Sequence, residues 1–256
     1  MKKLTLLILL ALFIQSKVSS QPCLYNGITF STQAEIDSFQ INYPNCTEIQ
    51  GDVEISGNVI TNLNGLNVLT TFWGDLLIEA NNALTSLTGL DNVMYVVGDL
   101  KIKDNNDLVS LTGFDNVTYI GGNLNIEYNP SLLSITSLDN LTYLGGNLYF
   151  EFNYVLTSLT GLDNLNSIGG YVYFMYNPNL SSLTGLKNVT SIGGVLEIWF
   201  NSSLTSLTGL ENITAASIDS LYIYKNFSLS TCEVQSICNY LAIPNSTIEI
   251  YDNASG

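Results

Sequence analysis

The sequence predicts an all-β solenoid built of coils of about 24 residues, with a short helical cap at each end. A strand-like segment that ends in Asn recurs nine times, from "VEISGN" to "IEIYDN". The intervals between successive final Asn residues are 23, then 24 five times, then 25 and 27 residues. Because one such unit cannot bury its own apolar face, we expect the coils to be stable only when they stack.

The apolar core of one coil can be identified in residues 148–170, "LYFEFNYVLTSLTGLDNLNSIGG". Apolar residues recur at the same seven positions in nearly every copy, here Leu148, Phe150, Leu156, Leu159, Leu162, Leu165 and Ile168. We expect these side chains to point inward and each strand to pair with the next coil at ~4.8 Å. A Gly pair such as Gly145 and Gly146 precedes several strands, and we interpret it as a corner that uses positive φ.

The Asn that ends each strand is expected to point inward as part of a structural ladder. A buried Asn can bond turn backbone groups that no sheet satisfies, and its neighbours repeat the arrangement. The predicted ladder consists of Asn58, Asn81, Asn105, Asn129, Asn153, Asn177, Asn201, Asn226 and Asn253.

Two capping segments flank the repeats. Thr32 with Glu35 is a capping-box pattern that predicts a helix over residues 32–40, and Ser230 with Glu233 predicts a second helix that ends before Pro244. The predicted organisation is a signal peptide over 1–20, an N-terminal cap with a helix over 21–48, a repeat solenoid over 49–229, and a C-terminal helix and last strand over 230–256. No turn follows that last strand in the sequence, which leaves open a C-terminal cap that is incomplete or lacks a tail.

Cysteines occur only near the two ends, outside the repeats. Four Cys residues allow three connectivities, and we expect Cys23 to pair with Cys46 and Cys232 with Cys238. Disulfides in these places would staple the caps and are typical of an oxidising compartment.

The N-terminal segment and the charge point to an extracellular location. Lys2 and Lys3, an apolar run too short to span a bilayer and small residues up to Ser20 form the layout of a secretory signal peptide. Removing this segment with its three Lys changes the formal charge from −15 to −18. Such a surface repels nucleic acid and anionic membrane. We therefore expect a secreted, extracellular or surface-attached protein without a transmembrane segment in the mature chain.

The repeat resembles a known family. The stretch "SLTGLDNLNSIGGYVYFMYNPNLSSL", residues 158–183, resembles the receptor L domain, a leucine-rich-repeat-like right-handed β-helix, and it is also similar to secreted or surface-exposed bacterial proteins with arrays of this unit. The resemblance covers residues 47–253 or nearly so. It implies an extracellular binding scaffold without catalysis, and in the better-known receptors this domain binds polypeptides.

The outward columns of the strands gather aromatic residues in the middle and C-terminal coils. We predict a ligand-binding surface of Tyr128, Tyr149, Phe152, Tyr173, Tyr176, Trp199, Phe200, Tyr222 and Tyr224, bordered by Glu127 and Glu151. Glu197 borders the same surface. The alternative is that the rings only stack across strands and stabilise the sheet, with the carboxylates as a solvated rim.

Polar residues also recur at fixed positions of successive coils, and each such file has both a functional and a structural interpretation. Ser and Thr files that run from Ser86 and Thr88 through six coils form a hydroxyl face, which suggests ice binding or else hydroxyl bonds to a bend. A third file, the Asp file, which could hold Ca²⁺ or cap local turns, consists of Asp91, Asp115, Asp139 and Asp163, followed by Lys187 and Glu211, and its Lys would oppose a metal. Capping is the interpretation that we favour, so we predict neither a metal site nor a cofactor.

The amino-acid composition excludes several classes of catalytic site. The chain has no His and no Arg, which removes His-based triads and arginine clamps. A carboxylate pair of Glu127 and Glu151 acting on polysaccharide is the remaining enzymatic alternative. We predict a non-catalytic binding or adhesion module whose partner is an extracellular protein or polysaccharide, with ice binding through the hydroxyl face as the other alternative.

Overall fold

The chain forms a stack of parallel coils in which two sheets run side by side. The computed structural model describes residues 22–231 and 234–254. The predicted signal peptide and Cys232 lie outside these ranges. The solenoid architecture is confirmed, because every strand pairing in both sheets is parallel and joins equivalent positions of neighbouring coils.

The larger sheet has ten strands. Its strands, in chain order, are Ile28–Phe30, Val53–Ile55, Leu76–Glu79, Leu100–Lys103, Leu124–Glu127, Leu148–Glu151, Val172–Met175, Gly194–Trp199, Ile218–Tyr224 and Thr247–Tyr251. Nine of them contain the repeated segments of the sequence. The tenth, Ile28–Phe30, belongs to the N-terminal cap and pairs with the first repeat strand.

The smaller sheet has eight strands of two residues each. They are Pro22–Cys23, Glu48–Ile49, Thr71–Phe72, Tyr95–Val96, Tyr119–Ile120, Tyr143–Leu144, Ser167–Ile168 and Ser191–Ile192. Short 3₁₀ turns close four of the coils at Asn64–Leu66, Thr136–Leu138, Thr184–Leu186 and Ala215–Ser217. The space between the sheets and turns is filled by the repeated apolar side chains, all of which are buried in the coil of residues 148–170.

The Asn residues that end the strands bond one coil to the next. The Nδ2 of Asn153 donates to the backbone oxygen of Ile126 at 2.8 Å and to Oδ1 of Asn177 at 3.2 Å, and its backbone N–H donates to the same Oδ1 at 3.1 Å. Asn153 is fully buried. The same arrangement repeats from Asn81 to Asn226, so the ladder satisfies the backbone at one corner of every one of these coils.

The first predicted ladder residue is an exception. Asn58 is exposed, and its Oδ1 accepts from Asn82 at 2.7 Å outside the core. The Oδ1 of Asn81 instead accepts from the N–H of Gly57 at 2.9 Å. The prediction for Asn58 is wrong because Gly57 lacks the left-handed conformation that turns the following Asn inward in the later coils.

That left-handed corner is the most unusual backbone feature of the fold. The residue before each inward Asn has φ between +51° and +57° in eight successive coils. These residues are Ala80, Asp104, Tyr128, Phe152, Tyr176, Phe200, Lys225 and Asp252. Because a bulky residue in this region costs roughly 1–2 kcal/mol, the stacked ladder must hold the corner in place.

Most of the Gly pairs before the strands serve close approach rather than positive φ, and Gly194, with φ +157°, is the exception. A Cβ on Gly145 would lie 2.2 Å from the backbone oxygen of Gly121 in the preceding coil, and neither residue has a left-handed φ. The expected positive φ is found instead in the "LTGL" turn, where Gly161 has φ +118° and its N–H donates to Asp163 at 3.2 Å.

Short helices lie at the two ends. Thr32 caps the N-terminal helix Gln33–Asp37 through the predicted capping box with Glu35, and Ser38 separates it from a second helix, Phe39–Asn42. The C-terminal helix is Gln235–Leu241, with Val234 at its N-cap, so it begins later than Ser230 predicts.

The cysteines at the two ends differ. The Cys23–Cys46 disulfide is formed, with a Cα–Cα distance of 5.6 Å. Cys238 is exposed and has no disulfide partner within the described ranges, which omit its predicted partner Cys232. The second disulfide stays a prediction.

Candidate functional site

The predicted site lies on the outer face of the ten-stranded sheet, which we call the strand face. Along each central strand buried and partly exposed side chains alternate. The outward aromatic residues of successive strands, such as Tyr149 and Tyr173, therefore lie on one continuous surface. The residue at each left-handed corner forms the border of this face. Most of the predicted rings are half-buried, and Tyr128 is the most exposed of them at 44%.

The border carries a continuous ring stack, which we call the corner track. Its rings are Tyr128, Phe152, Tyr176 and Phe200, with centroid distances of 4.5, 4.6 and 4.6 Å and interplanar angles of 24° or less. The Nζ of Lys225 lies 5.0 Å from the Phe200 centroid and covers the C-terminal end of the track. In these four coils the left-handed backbone therefore stacks the ring of each coil on the ring of the preceding one.

The other predicted rings lie on the strands themselves. Tyr149 and Tyr173 stack at 4.7 Å, and Trp199 lies 4.8 Å from Tyr176 and 5.3 Å from Tyr224. Tyr222 stands apart, since it contacts no other ring in the part of the chain that the structure describes. The predicted aromatic residues, Tyr222 excepted, thus form two groups of contacting rings on one face.

Charge is distributed unevenly along the strand face. Lys101 and Lys103, on the N-terminal side, are each bonded to a carboxylate, at 3.0 Å to Asp99 and 2.7 Å to Glu79. Glu127 and Glu151 occupy the position equivalent to Lys103 in the next two strands, and they lie side by side in the parallel pairing. Burial, and then the nearby charge of Glu127, raises the pKa of Glu151. Two like charges are therefore adjacent where the aromatic residues begin.

The polar groups among the rings are only partly bonded. The Tyr224 hydroxyl donates to Glu197 at 2.8 Å, and burial raises the pKa of Tyr173 to about 12. The indole Nε1 of Trp199 and the Oδ1 of Asn125 are buried and have no hydrogen-bond partner among the described residues. Unpaired buried polar atoms are uncommon in proteins, and here both lie on the predicted binding face.

The side chains of the Ser and Thr files and of the Asp file form hydrogen bonds within their own coils. Ser134 Oγ and Thr136 Oγ1 lie 3.0 Å apart, the Thr136 N–H donates to the Ser134 hydroxyl, and five other coils repeat the hydroxyl pair. In the Asp file, Asp91 and Asp115 accept from the N–H of a Gly two residues earlier. No group of three or more metal-ligating side chains occurs within residues 22–231 and 234–254.

A second aromatic file was not identified from the sequence. Tyr95, Tyr119 and Tyr143 project from equivalent positions of the eight-stranded sheet, next to Trp73. The signal was present as a Tyr repeated every 24 residues shortly before the strand, but strands of two residues have no periodicity that reveals a face.

Comparison with known proteins gives one match. Residues 94–184 match the family model of the receptor L domain. No curated protein and no solved structure compared with the chain matches it. In the described part of the chain, no helix has the length and apolar character needed to cross a membrane.

The match covers residues 94–184, which include three of the four rings of the corner track, all but Phe200, and the Tyr149–Tyr173 stack. It confirms the resemblance read from the repeated motif. The central coils of this chain are thus similar to the receptor L domain, a family of ligand-binding modules.

Proposed function

We propose that the protein is a secreted, non-catalytic binding module that recognises an extracellular protein or polysaccharide through its strand face. The observation that carries the proposal is the presence on one face of two groups of contacting rings, the corner track with its neighbours Trp199 and Tyr224, and the Tyr149–Tyr173 stack. Tyr and Trp provide rigid contact area with a polar group at the edge, which suits recognition of either partner.

The polar groups of this surface support the proposal. Rings that served only to stabilise the sheet would not require buried polar atoms without partners, yet Trp199 Nε1 and Asn125 Oδ1 lie among them. The adjacent Glu127 and Glu151 also destabilise the sheet when both are charged. A bound partner that donates to the two carboxylates would relieve this repulsion.

The alternatives receive less support from the contacts. The hydroxyls of the Ser and Thr files bond one another within each coil, which is what a bend requires. Glu127 and Glu151 lie on an open sheet face, and Glu127 is bonded at 2.6 Å by Asn125. We therefore propose neither ice binding nor hydrolysis.

The test is a binding screen of the native protein against immobilised glycans and cell-surface extracts. A triple variant, Tyr149→Ala, Tyr173→Ala and Trp199→Ala, is screened beside it. If the strand face binds, the native protein retains a ligand whose affinity for the variant is at least about tenfold weaker.

A matched variant on the other sheet controls for the loss of exposed rings. Tyr143→Ala removes a ring that stacks at 4.7 Å on Tyr119, as Tyr149 does on Tyr173, but far from the strand face. Circular dichroism establishes that each variant is folded. Equal binding by the native protein and the folded triple variant would refute the proposal.

A further inference from the structure

A groove lined by large rings lies on the outer side of the eight-stranded sheet. It has a volume of about 450 Å³ and is lined by Glu48, Thr71, Trp73, Tyr95, Val97 and Tyr119. Trp73 and Tyr95 are 47% and 43% exposed, although both are large rings on a folded surface. The groove lies outside the site proposed above.

The rings of the groove leave their faces uncovered. On the corner track, each ring stacks within 4.6 Å of the next, so mainly ring edges face solvent. In the second aromatic file, Tyr119 and Tyr143 also stack, at 4.7 Å and 4°. Tyr95, in contrast, lies 6.4 Å from Tyr119 and is tilted by 57°, and Trp73 stacks on no ring within the described residues. The rings between Trp73 and Tyr119 are therefore not packed face to face, and a gap lies between them.

A carboxylate lies at one end of this opening. The Oε2 of Glu48 accepts from the indole Nε1 of Trp73 at 3.0 Å, which fixes the position of the indole relative to the charge. Glu48 is the one charged residue in the strands of the eight-stranded sheet as the structure describes it. The whole chain has a formal charge of −15, so the surrounding field also attracts cations.

We propose that this groove binds the side chain of a lysine from a partner polypeptide. Aromatic faces attract an alkylammonium group, and a neighbouring carboxylate strengthens that attraction. The four methylene groups of lysine match the apolar walls formed by Trp73, Tyr95 and Val97, while its ammonium group meets Glu48.

The probe is a pentapeptide with one central lysine among four glycines, blocked at both ends. Binding is followed by the indole N–H resonances of the ¹⁵N-labelled protein, because the chain has two Trp residues, Trp73 in the groove and Trp199 on the strand face. Trp199→Phe assigns the two signals. We expect a saturable shift of the Trp73 signal, and no shift with a peptide that carries Nε-acetyl-lysine, which keeps the methylene stem but removes the charge.

Two variants separate the groove from general charge attraction. Glu48→Gln should weaken the Trp73 titration by at least about tenfold. The double variant Glu127→Gln and Glu151→Gln removes more negative charge, on the opposite sheet, and should leave the titration nearly unchanged.

The inference is overturned if the acetylated peptide shifts Trp73 equally or if the Trp73 signal shows no saturable shift. It is also overturned if only the Trp199 signal responds. That last result would place cation binding on the strand face. Failure of the strand face to bind a ligand in the earlier screen would not contradict lysine binding in the groove.

Discussion

At the scale of the residue, the inward Asn determines whether a coil can close. Asn153 donates to Ile126 and Asn177 and accepts from Asn129, all in a fully buried position. Asn153→Ala removes these bonds and leaves backbone groups unpaired in the core. We expect a loss of about 3 to 5 kcal/mol in the free energy of unfolding, measured by urea titration.

An exposed Asn of the same coil provides the control. Asn164 donates one bond to the preceding coil but lies on the surface. Its replacement by Ala should cost at most about 1 kcal/mol, because water replaces the lost partner. Similar losses for the two variants would contradict a structural role for burial in the ladder.

The left-handed corner leads to a second prediction at this scale. Phe152 has φ +54°, a conformation that Gly adopts freely and Ala does not. Both Phe152→Gly and Phe152→Ala lose the stacking on Tyr128 and Tyr176, so their difference reports the backbone alone. We expect the Gly variant to be more stable than the Ala variant by about 1 kcal/mol, measured by urea titration.

The same pair of substitutions in the adjacent strand should reverse the order. Tyr149 is a strand residue without positive φ, where Gly costs more conformational entropy than Ala. Tyr149→Ala should therefore be more stable than Tyr149→Gly. If Ala were the better residue at both positions, the corner would not be strained.

At the scale of the element, the strands at Leu124–Glu127 and Leu148–Glu151 bring two carboxylates together. Burial and the charge of Glu127 raise the pKa of Glu151 in the folded chain. A pKa that is higher in the folded than in the unfolded state stabilises the fold below the unfolded value, and this contribution is lost as pH rises through the folded value. Glu151 should therefore destabilise the sheet at neutral pH.

The variant Glu151→Gln tests this dependence. We expect its melting temperature to exceed that of the native protein at pH 7 by on the order of 1 °C, and the difference to vanish below the ordinary pKa of Glu. Glu249→Gln, on the exposed last strand, is the control and should change little. An advantage of Glu151→Gln that persists at low pH would indicate an effect of packing rather than of charge.

Elements differ in how far the sequence predicts them. The strands of the larger sheet alternate over four or more residues in most coils, so their inward Leu and Ile could be assigned from the pattern. The two-residue strands at Tyr95–Val96 and Tyr119–Ile120 are too short for any period. Phe152 was unexpected at a left-handed corner, because the intrinsic preference of a bulky residue disfavours this conformation, which the Asn ladder imposes here as it does at Ala80 and Asp104.

The two candidate binding surfaces also differ in how far the sequence predicts them. Tyr149 and Tyr173 could be placed on one face because strand alternation fixes the direction of each side chain. That their rings stack and cover each other's faces could not be predicted, since it depends on the spacing of coils and on rotamers. The groove at Trp73 depends further on the tilt of Tyr95, which no periodic pattern describes.

At the scale of the whole molecule, stability passes from coil to coil, because each coil contacts only its neighbours. The N-terminal end is closed by the helix Gln33–Asp37 and by the Cys23–Cys46 disulfide, which spans 23 residues. A loop of this length is worth about 3 kcal/mol in the chain-entropy model. Its loss should act first on the coils next to it, whereas the central coils keep their neighbours on both sides.

We therefore predict that Cys23→Ser with Cys46→Ser frays the solenoid from its N-terminal end. Hydrogen exchange followed by mass spectrometry should show faster exchange in Ile28–Phe30 and Val53–Ile55, while Leu148–Glu151 remains protected. Cys238→Ser, at the opposite end, should leave the N-terminal strands unchanged. Uniformly faster exchange along the whole chain would mean that the coils unfold as one cooperative unit, and the disulfide would then stabilise the strand face and the Trp73 groove together.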